Sequence, residues 1–315
     1  MLAVSVRSGL EETAHRGTVA VVDSAGTLIA HHGDFDRPFF IRSSAKPFQA
    51  FVSQQSGADL STLELAIACS SHRGFPVHVA LVGSMLEKAG LEESALGCPA
   101  DWPAGPAAAR LVQNDGATVP RRIWHNCSGK HAGFLRACVA RGWPTASYLS
   151  PDHPLQRLVI ETVSEFGEYR VEPVGVDGCG APVLRTTARA MATMYARLAV
   201  SPELGEVFSA MHRYPALIAA NGEGDTTIAI AANAVAKGGA AGCVGVAVAG
   251  RLGLAAKTWD GVGAVSYLAA AETLRRLDVF SVTGVETVGP VINPPVLGGG
   301  GEVGRIEPRF ELALT

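Results

Sequence analysis

Short β-branched, glycine-bounded segments occupy both ends of this chain, and helix-periodic segments fill the middle. GTVAVVD (17–23) and TLIAHHG (27–33) flank the turn Ser24-Ala25-Gly26 and predict a β-hairpin. Far along the chain, TTIAIAANAVAKGG, GCVGVAVAG and LGLAAKTWDG predict antiparallel strands. A sheet drawn from both chain ends, with helices between, restricts the chain to an α+β architecture. No internal repeat and no clear linker interrupt it, so residues 1–315 are expected to form a single domain. At 48% hydrophobic residues, the chain is rich enough to bury a large core.

The helical middle carries its own punctuation. FFIRSSAKPFQAFVSQQ enters as an extended apolar segment and turns helical near Ser43-Ser44, with Pro47 in the first turn. Ser61 and Glu64 form a capping box before LELAIAC. PVHVALVGSMLEKAG predicts an amphipathic helix closed by Gly90. Residues 98–126 read as loop, and AGFLRACVARG as a helix. Residues 153–169 and 181–220 read as mainly helical, and AVSYLAAAETLRRL as the last helix.

Several function classes drop out. A formal charge of −3 without a basic tract argues against nucleic acid as a partner. No uncharged stretch reaches the roughly 18 apolar residues of a membrane span. MLAVSVRSGLEETAHRG lacks the basic and apolar regions of a secretory signal, so a cytoplasmic protein is expected. The six cysteines are scattered, which fits buried thiols better than a disulfide framework. There are only five lysines, Lys46, Lys88, Lys130, Lys237 and Lys257, and arginine supplies every other basic side chain. A retained lysine offers what arginine cannot, an amine able to lose its proton.

Ser43-Ser44-Ala45-Lys46 has the spacing S-x-x-K at a predicted helix start. Positions i and i+3 share a face there, so a lysine of depressed pKa can take the serine proton. A helix cap followed by a surface lysine has the same spelling. Cys69-Ser70-Ser71-His72 is either a helix C-cap or a second hydroxyl for the same pocket. Lys257, beside Trp259 on a predicted strand, is either an edge charge or a base facing the nucleophile. Cys127-Ser128-Gly129-Lys130-His131 and Val176-Asp177-Gly178-Cys179-Gly180 offer two thiols plus a nitrogen donor, a set suited to zinc. His131 is the more conventional third ligand. Two buried thiols in glycine loops would look alike.

Taken in order, these segments resemble the asparaginase II family, the rhizobial-type or class 3 L-asparaginases. The matching pieces are His15-Arg16-Gly17, Arg42 through Gln49, Cys69 through His72, Cys127 through Gly133, Val176 through Gly180, Lys237-Gly238-Gly239, and Lys257 before Asp260-Gly261. The resemblance implies a fold like the serine β-lactamases and penicillin-binding proteins, in a homodimer. It implies hydrolysis of L-asparagine, with Ser43 as nucleophile and Lys46 as its base. Ser71 and Lys257 form the second pair, relaying protons and tuning Lys46. It implies zinc on Cys127, Lys130 and Cys179, against the preference for His131. Arg42, His131 and Asp177 become substrate-binding groups.

The chain departs from the family pattern at three places. Ala241 stands where an acidic residue is usual, Glu223 where an arginine is, and no arginine follows Gly261. These departures bear on substrate affinity more than on reaction class. Competing readings are a penicillin-recognising enzyme, an amidase for glutamine or another small amide, and a catalytically degenerate homologue. The penicillin reading lacks a Ser-Asp-Asn triplet, and Trp259 rather than glycine follows Lys257-Thr258.

Overall fold

The computed structural model describes all 315 residues. Six strands form one antiparallel sheet in the order Ala313–Leu314, Leu28–His32, Gly17–Asp23, Leu252–Thr258, Cys243–Val248, Ala234–Gly239. The hairpin from the chain start therefore lies beside three strands from near the end. The molecule is a mixed helix and antiparallel-sheet fold.

Side-chain alternation assigns the two sheet faces. Ala20, Val22, Val235, Cys243, Ala247 and Ala255 enter a core of 53 buried residues beneath the helical middle of the chain. Val19, Val21, Ala236, Val244, Val246, Leu254 and Ala256 enter a second core of 24, shared with helices Gly263–Arg276 and Val282–Ile292. The sheet is thus the common wall of both cores, which explains why its strands read as nearly unbroken apolar runs. Helix Ala188–Val200 lies directly on the strands. At Gly253 an added Cβ would sit 2.0 Å from the backbone nitrogen of Ala196, so only glycine admits that approach.

Three elements differ from expectation. TTIAIAANAVAKGG is half helix: Gly224–Ala232 is α-helical and only Ala234–Gly239 is a strand. Its β-branched run reads as apolar throughout because Asp225 to Ala232 are buried except for Ile230, and Asn233 ends it in the left-handed region at φ 50°. Residues 98–126 contain a helix, Pro106–Asn114, opened by its N-terminal proline. Residues 1–15 and 295–308 form a second, four-stranded sheet. Strands Leu10–His15 and Gly301–Pro308 are exposed or half-buried and mostly polar, so they lack the apolar alternation that marks a strand in sequence.

The capping box is formed as expected: Glu64 N–H donates to Ser61 Oγ, and Ser61 N–H to the Glu64 carboxylate. All six cysteines are free and buried. No helix is long and apolar enough to cross a membrane.

Candidate active site

Ser43 lies in a 3₁₀ turn, Arg42–Ala45, that runs directly into helix Lys46–Ser53. With three residues per turn, side chains at i and i+3 eclipse. The Lys46 backbone N–H closes the turn on Ser43 O, which puts the two residues on one side of it. The turn is pinned from behind by the sheet: Ser44 Oγ donates to Lys237 O at 2.8 Å, Cys243 Sγ to Ile41 O at 3.3 Å, and Tyr195 Oη to Ser44 O at 2.8 Å. Arg42 sits at φ 53°, unusual for a side-chain-bearing residue, at the point where the extended segment breaks into the turn. Ser43, Lys46, Arg42, Gln49, Lys130 and Asp177 line one narrow recess. Wider depressions of about 770 and 910 Å³ flank Arg121, but neither holds a lysine, histidine or cysteine, so volume alone does not locate this site.

Lys46 is 1% exposed. Its Nζ lies 3.1 Å from Ser71 Oγ and also donates to the Ser70 carbonyl. Burial pushes its pKa below the ordinary lysine range. The Cys127 sulfur opposes that shift, and the ammonium groups of Lys237 and Lys130 reinforce it. Lys237 is itself buried and is held by Asp225 at 3.2 Å, with Tyr267 Oη donating to the same carboxylate at 2.7 Å. In sequence it stood out as one of five lysines and as the first residue of the Lys237-Gly238-Gly239 match, but its role was hidden because Asp225 and Tyr267 lie 12 and 30 positions away.

Ser71 and Lys257 do not meet as the expected pair. Ser71 is carried by the segment after helix Thr62–Cys69, and its N–H donates to Ile218 O at 3.1 Å. Lys257 lies across from Cys243 on the sheet and donates to the Ala241 and Thr258 carbonyls. Its amine sits 5.5 Å from the Trp259 ring centre and 5.8 Å from that of Phe39. Burial lowers its pKa, against the raising effects of Cys243 and Asp260. The second hydroxyl is thus served by Lys46, and the cations acting on Lys46 are Lys237 and Lys130.

The thiol cluster flanks the same recess. Cys127 and Lys130 stand at the start of helix Ser128–Arg141. Lys130 Nζ is 3.1 Å from Cys179 Sγ. The Cys179 sulfur holds the Cys127 thiol well below its usual pKa, against burial, with Lys46 and Lys130 adding to the fall. Burial alone would lower Lys130, but the two sulfurs more than reverse this and raise it. This helix reaches the Ser71 segment because residue 129 is glycine: a Cβ there would lie 2.4 Å from Ile67 O. No group of three or more His, Cys, Asp or Glu side chains is arranged to hold a metal. The donor set that converges here is two sulfurs and one amine, which suits a thiophilic cation once Lys130 gives up its proton.

Around this centre the structure adds supports that the sequence did not reveal. His72 is fully buried; its Nδ1 accepts from Gly74 N–H at 3.2 Å, so its proton is on Nε2, which reaches Ser128 Oγ at 2.8 Å. It ties the Ser71 segment to the helix bearing Lys130. Arg73 grips Glu223 with two hydrogen bonds. Glu223 therefore has a partner of its own, two residues beyond Ser71. Arg42 donates to Asp177 at 2.8 Å beside Ser43. His131 is buried, and burial lowers it to about 4.

The family model described as L-asparaginase II matches residues 3–308. No curated protein matches the chain. Solved structures similar to it include Mglu in its native form, at 16% identity over 88% of this chain and 68% of that one, with a TM-score of 0.44. A Bacillus glutaminase is 11% identical over 84% of this chain and 92% of its own, with a TM-score of 0.46. A probable glutaminase, ybaS, is 14% identical over 84% and 86%, with a TM-score of 0.41.

Proposed function

The chain belongs to the L-asparaginase II family and is an amidohydrolase, and from that premise we propose that it hydrolyses L-asparagine to L-aspartate and ammonia through Ser43. The observation that carries this is the buried Lys46, which lines the same recess as Ser43, with its pKa pushed down and no carboxylate paired to it. A neutral amine in that position accepts the Ser43 proton as Oγ attacks the side-chain amide carbon. The same proton then goes to the departing nitrogen, and ammonia leaves an aspartyl ester on Ser43. Water, deprotonated by Lys46, hydrolyses the ester and restores the serine. Ser71, 3.1 Å from Lys46 Nζ, is placed to pass protons between that amine and the leaving group. Lys257 contributes positive charge on the sheet side of the recess.

Arg42 and Asp177 carry opposite charges beside Ser43 and suit the carboxylate and ammonium groups of a free amino acid. Cys127, Cys179 and Lys130 would hold zinc, whose positive charge would order the substrate and this corner of the recess. The fold reading remains that of the serine β-lactamases, supported by an S-x-x-K turn braced against an antiparallel sheet. The homodimeric, cytoplasmic assignment rests on the family resemblance.

Ammonia release from L-asparagine and L-glutamine, with and without added zinc, tests the proposal. Asparagine-specific release that disappears in Ser43→Ala supports it. Equal release by the Ser43→Ala protein overturns it.

A further inference from the structure

Six polar side chains line the recess that holds Ser43, and four of them are already engaged. Arg42 donates to Asp177, Lys46 to Ser70 O and Ser71 Oγ, and Lys130 to Cys179. Ser43, the attacking hydroxyl, has no partner within the fold, and neither has the side-chain amide of Gln49. A free nucleophile is what the chemistry needs. A free amide needs a reason, because Gln49 is only 4% exposed and a primary amide has both donors and an acceptor to satisfy.

Gln49 follows Lys46 by three residues on helix Lys46–Ser53, so the two share a face, and a helical side chain leans back toward the N-terminus. The amide therefore lies on the Lys46 side of the recess. The adjacent Phe48 packs instead against Tyr195, edge-on with ring centres 5.7 Å apart. Pro182, Val183 and Leu184 complete the lining with apolar side chains, which give the amide nothing to bond. In the reaction proposed above, the substrate atom that comes to Lys46 is the departing nitrogen, because Lys46 hands it a proton as the C–N bond breaks. That nitrogen carries two protons before the transfer and three after it. An acceptor one helical turn beyond Lys46 meets one of these N–H groups, and the contact strengthens as the nitrogen gains positive character.

We propose that Gln49 is a specificity-determining residue whose Oε1 accepts an N–H of the scissile carboxamide and so favours amides over esters. This rests on the amidohydrolase reading above and adds to it the group that recognises the leaving nitrogen. An ester of the same acid places an alkoxy oxygen there, with no N–H to give, and Gln49 contributes nothing to its turnover.

The test compares L-asparagine with L-aspartic acid β-methyl ester, and L-glutamine with L-glutamic acid γ-methyl ester, on the full-length protein. Gln49→Met keeps the length of the side chain and removes the amide. Its kcat/KM is expected to fall about tenfold for the amide and to stay within about twofold for the matching ester. An equal loss on amide and ester means that Gln49 only packs, and the proposal fails; no loss on either overturns it as well. Gln49→Glu decides the matter where the methionine variant does not fold. It keeps an acceptor at the same reach, and its charge favours protonated Lys46, so the acid limb of the kcat/KM profile for the amide should move to higher pH. An unmoved profile places the side chain away from Lys46 and overturns the proposal. Turnover of the glutamine pair alone sinks the asparaginase reading and leaves Gln49 to be judged on that pair by the same criterion. Turnover of neither amide sinks both.

Discussion

Lys46 Nζ lies 3.1 Å from the hydroxyl of Ser71, 25 residues further along the chain, and not from the strand lysine expected to serve that serine. One buried amine thus bonds the Ser71 hydroxyl and lines the same recess as Ser43. The two serines are consequently unequal. Ser43→Ala should remove turnover by ~10⁴-fold or more, because no other hydroxyl occupies the attacking position. Ser71→Ala should lower kcat by ~10²-fold, the scale of a lost proton relay. Steady-state ammonia release from both variants checks the ranking, and equal effects would contradict it.

The thiol cluster makes a separate prediction about metal. Purified protein should bind about one zinc per chain, and Cys127→Ser or Cys179→Ser should abolish binding in metal analysis after dialysis. Because the amine of Lys130 must be neutral to join the set, zinc affinity should fall as pH falls. Retained stoichiometry in both serine variants would rule these ligands out.

Acid should destabilise the fold through its buried histidines. Burial lowers His78 and His131 to about 4 each. In the unfolded chain such imidazoles take up protons near pH 6.5. Between these limits the unfolded state binds more protons, so stability is full above about 6.5 and is lost as pH falls toward 4. The loss should be about 3 kcal/mol for each histidine across that window. Urea unfolding at several pH values measures it, and His78→Gln should flatten the slope.

Gly129 is a packing test of the site's assembly. A methyl group there would lie 2.4 Å from the Ile67 carbonyl, which is backbone and has little room to give. Gly129→Ala should cost about 2–3 kcal/mol and lower the melting temperature by several degrees. It should also impair zinc binding, since it displaces the first turn that carries Lys130. An unchanged melting curve would mean the two helices slide apart freely.

The Arg73–Glu223 pair joins the Ser71 segment to the start of helix Gly224–Ala232. Both side chains are about 30% exposed, so the pair is screened and Glu223→Gln should cost only about 1 kcal/mol. Glu223→Arg places like charges together and should raise KM as well as lower stability. Kinetics and unfolding on both variants separate the two effects.

Local chemistry made much of this legible in one dimension. The hairpin at 17–33, the capping box at Ser61, the helix start near Ser43 and the strands around 243–258 depend on residues within a few positions of each other, so their patterns survive in sequence. Family membership followed from the order of short motifs. What sequence left open was every relationship across the fold. Whether Ser71 meets Lys46 or Lys257 depends on how helix Thr62–Cys69 docks, and whether Lys237 acts on Lys46 depends on which strand lies behind the turn. TTIAIAA reads as strand or helix alike until its packing in the fold decides for helix. Spacing determines which groups are present; packing determines which of them touch, because burial and distance set both hydrogen-bond partners and pKa.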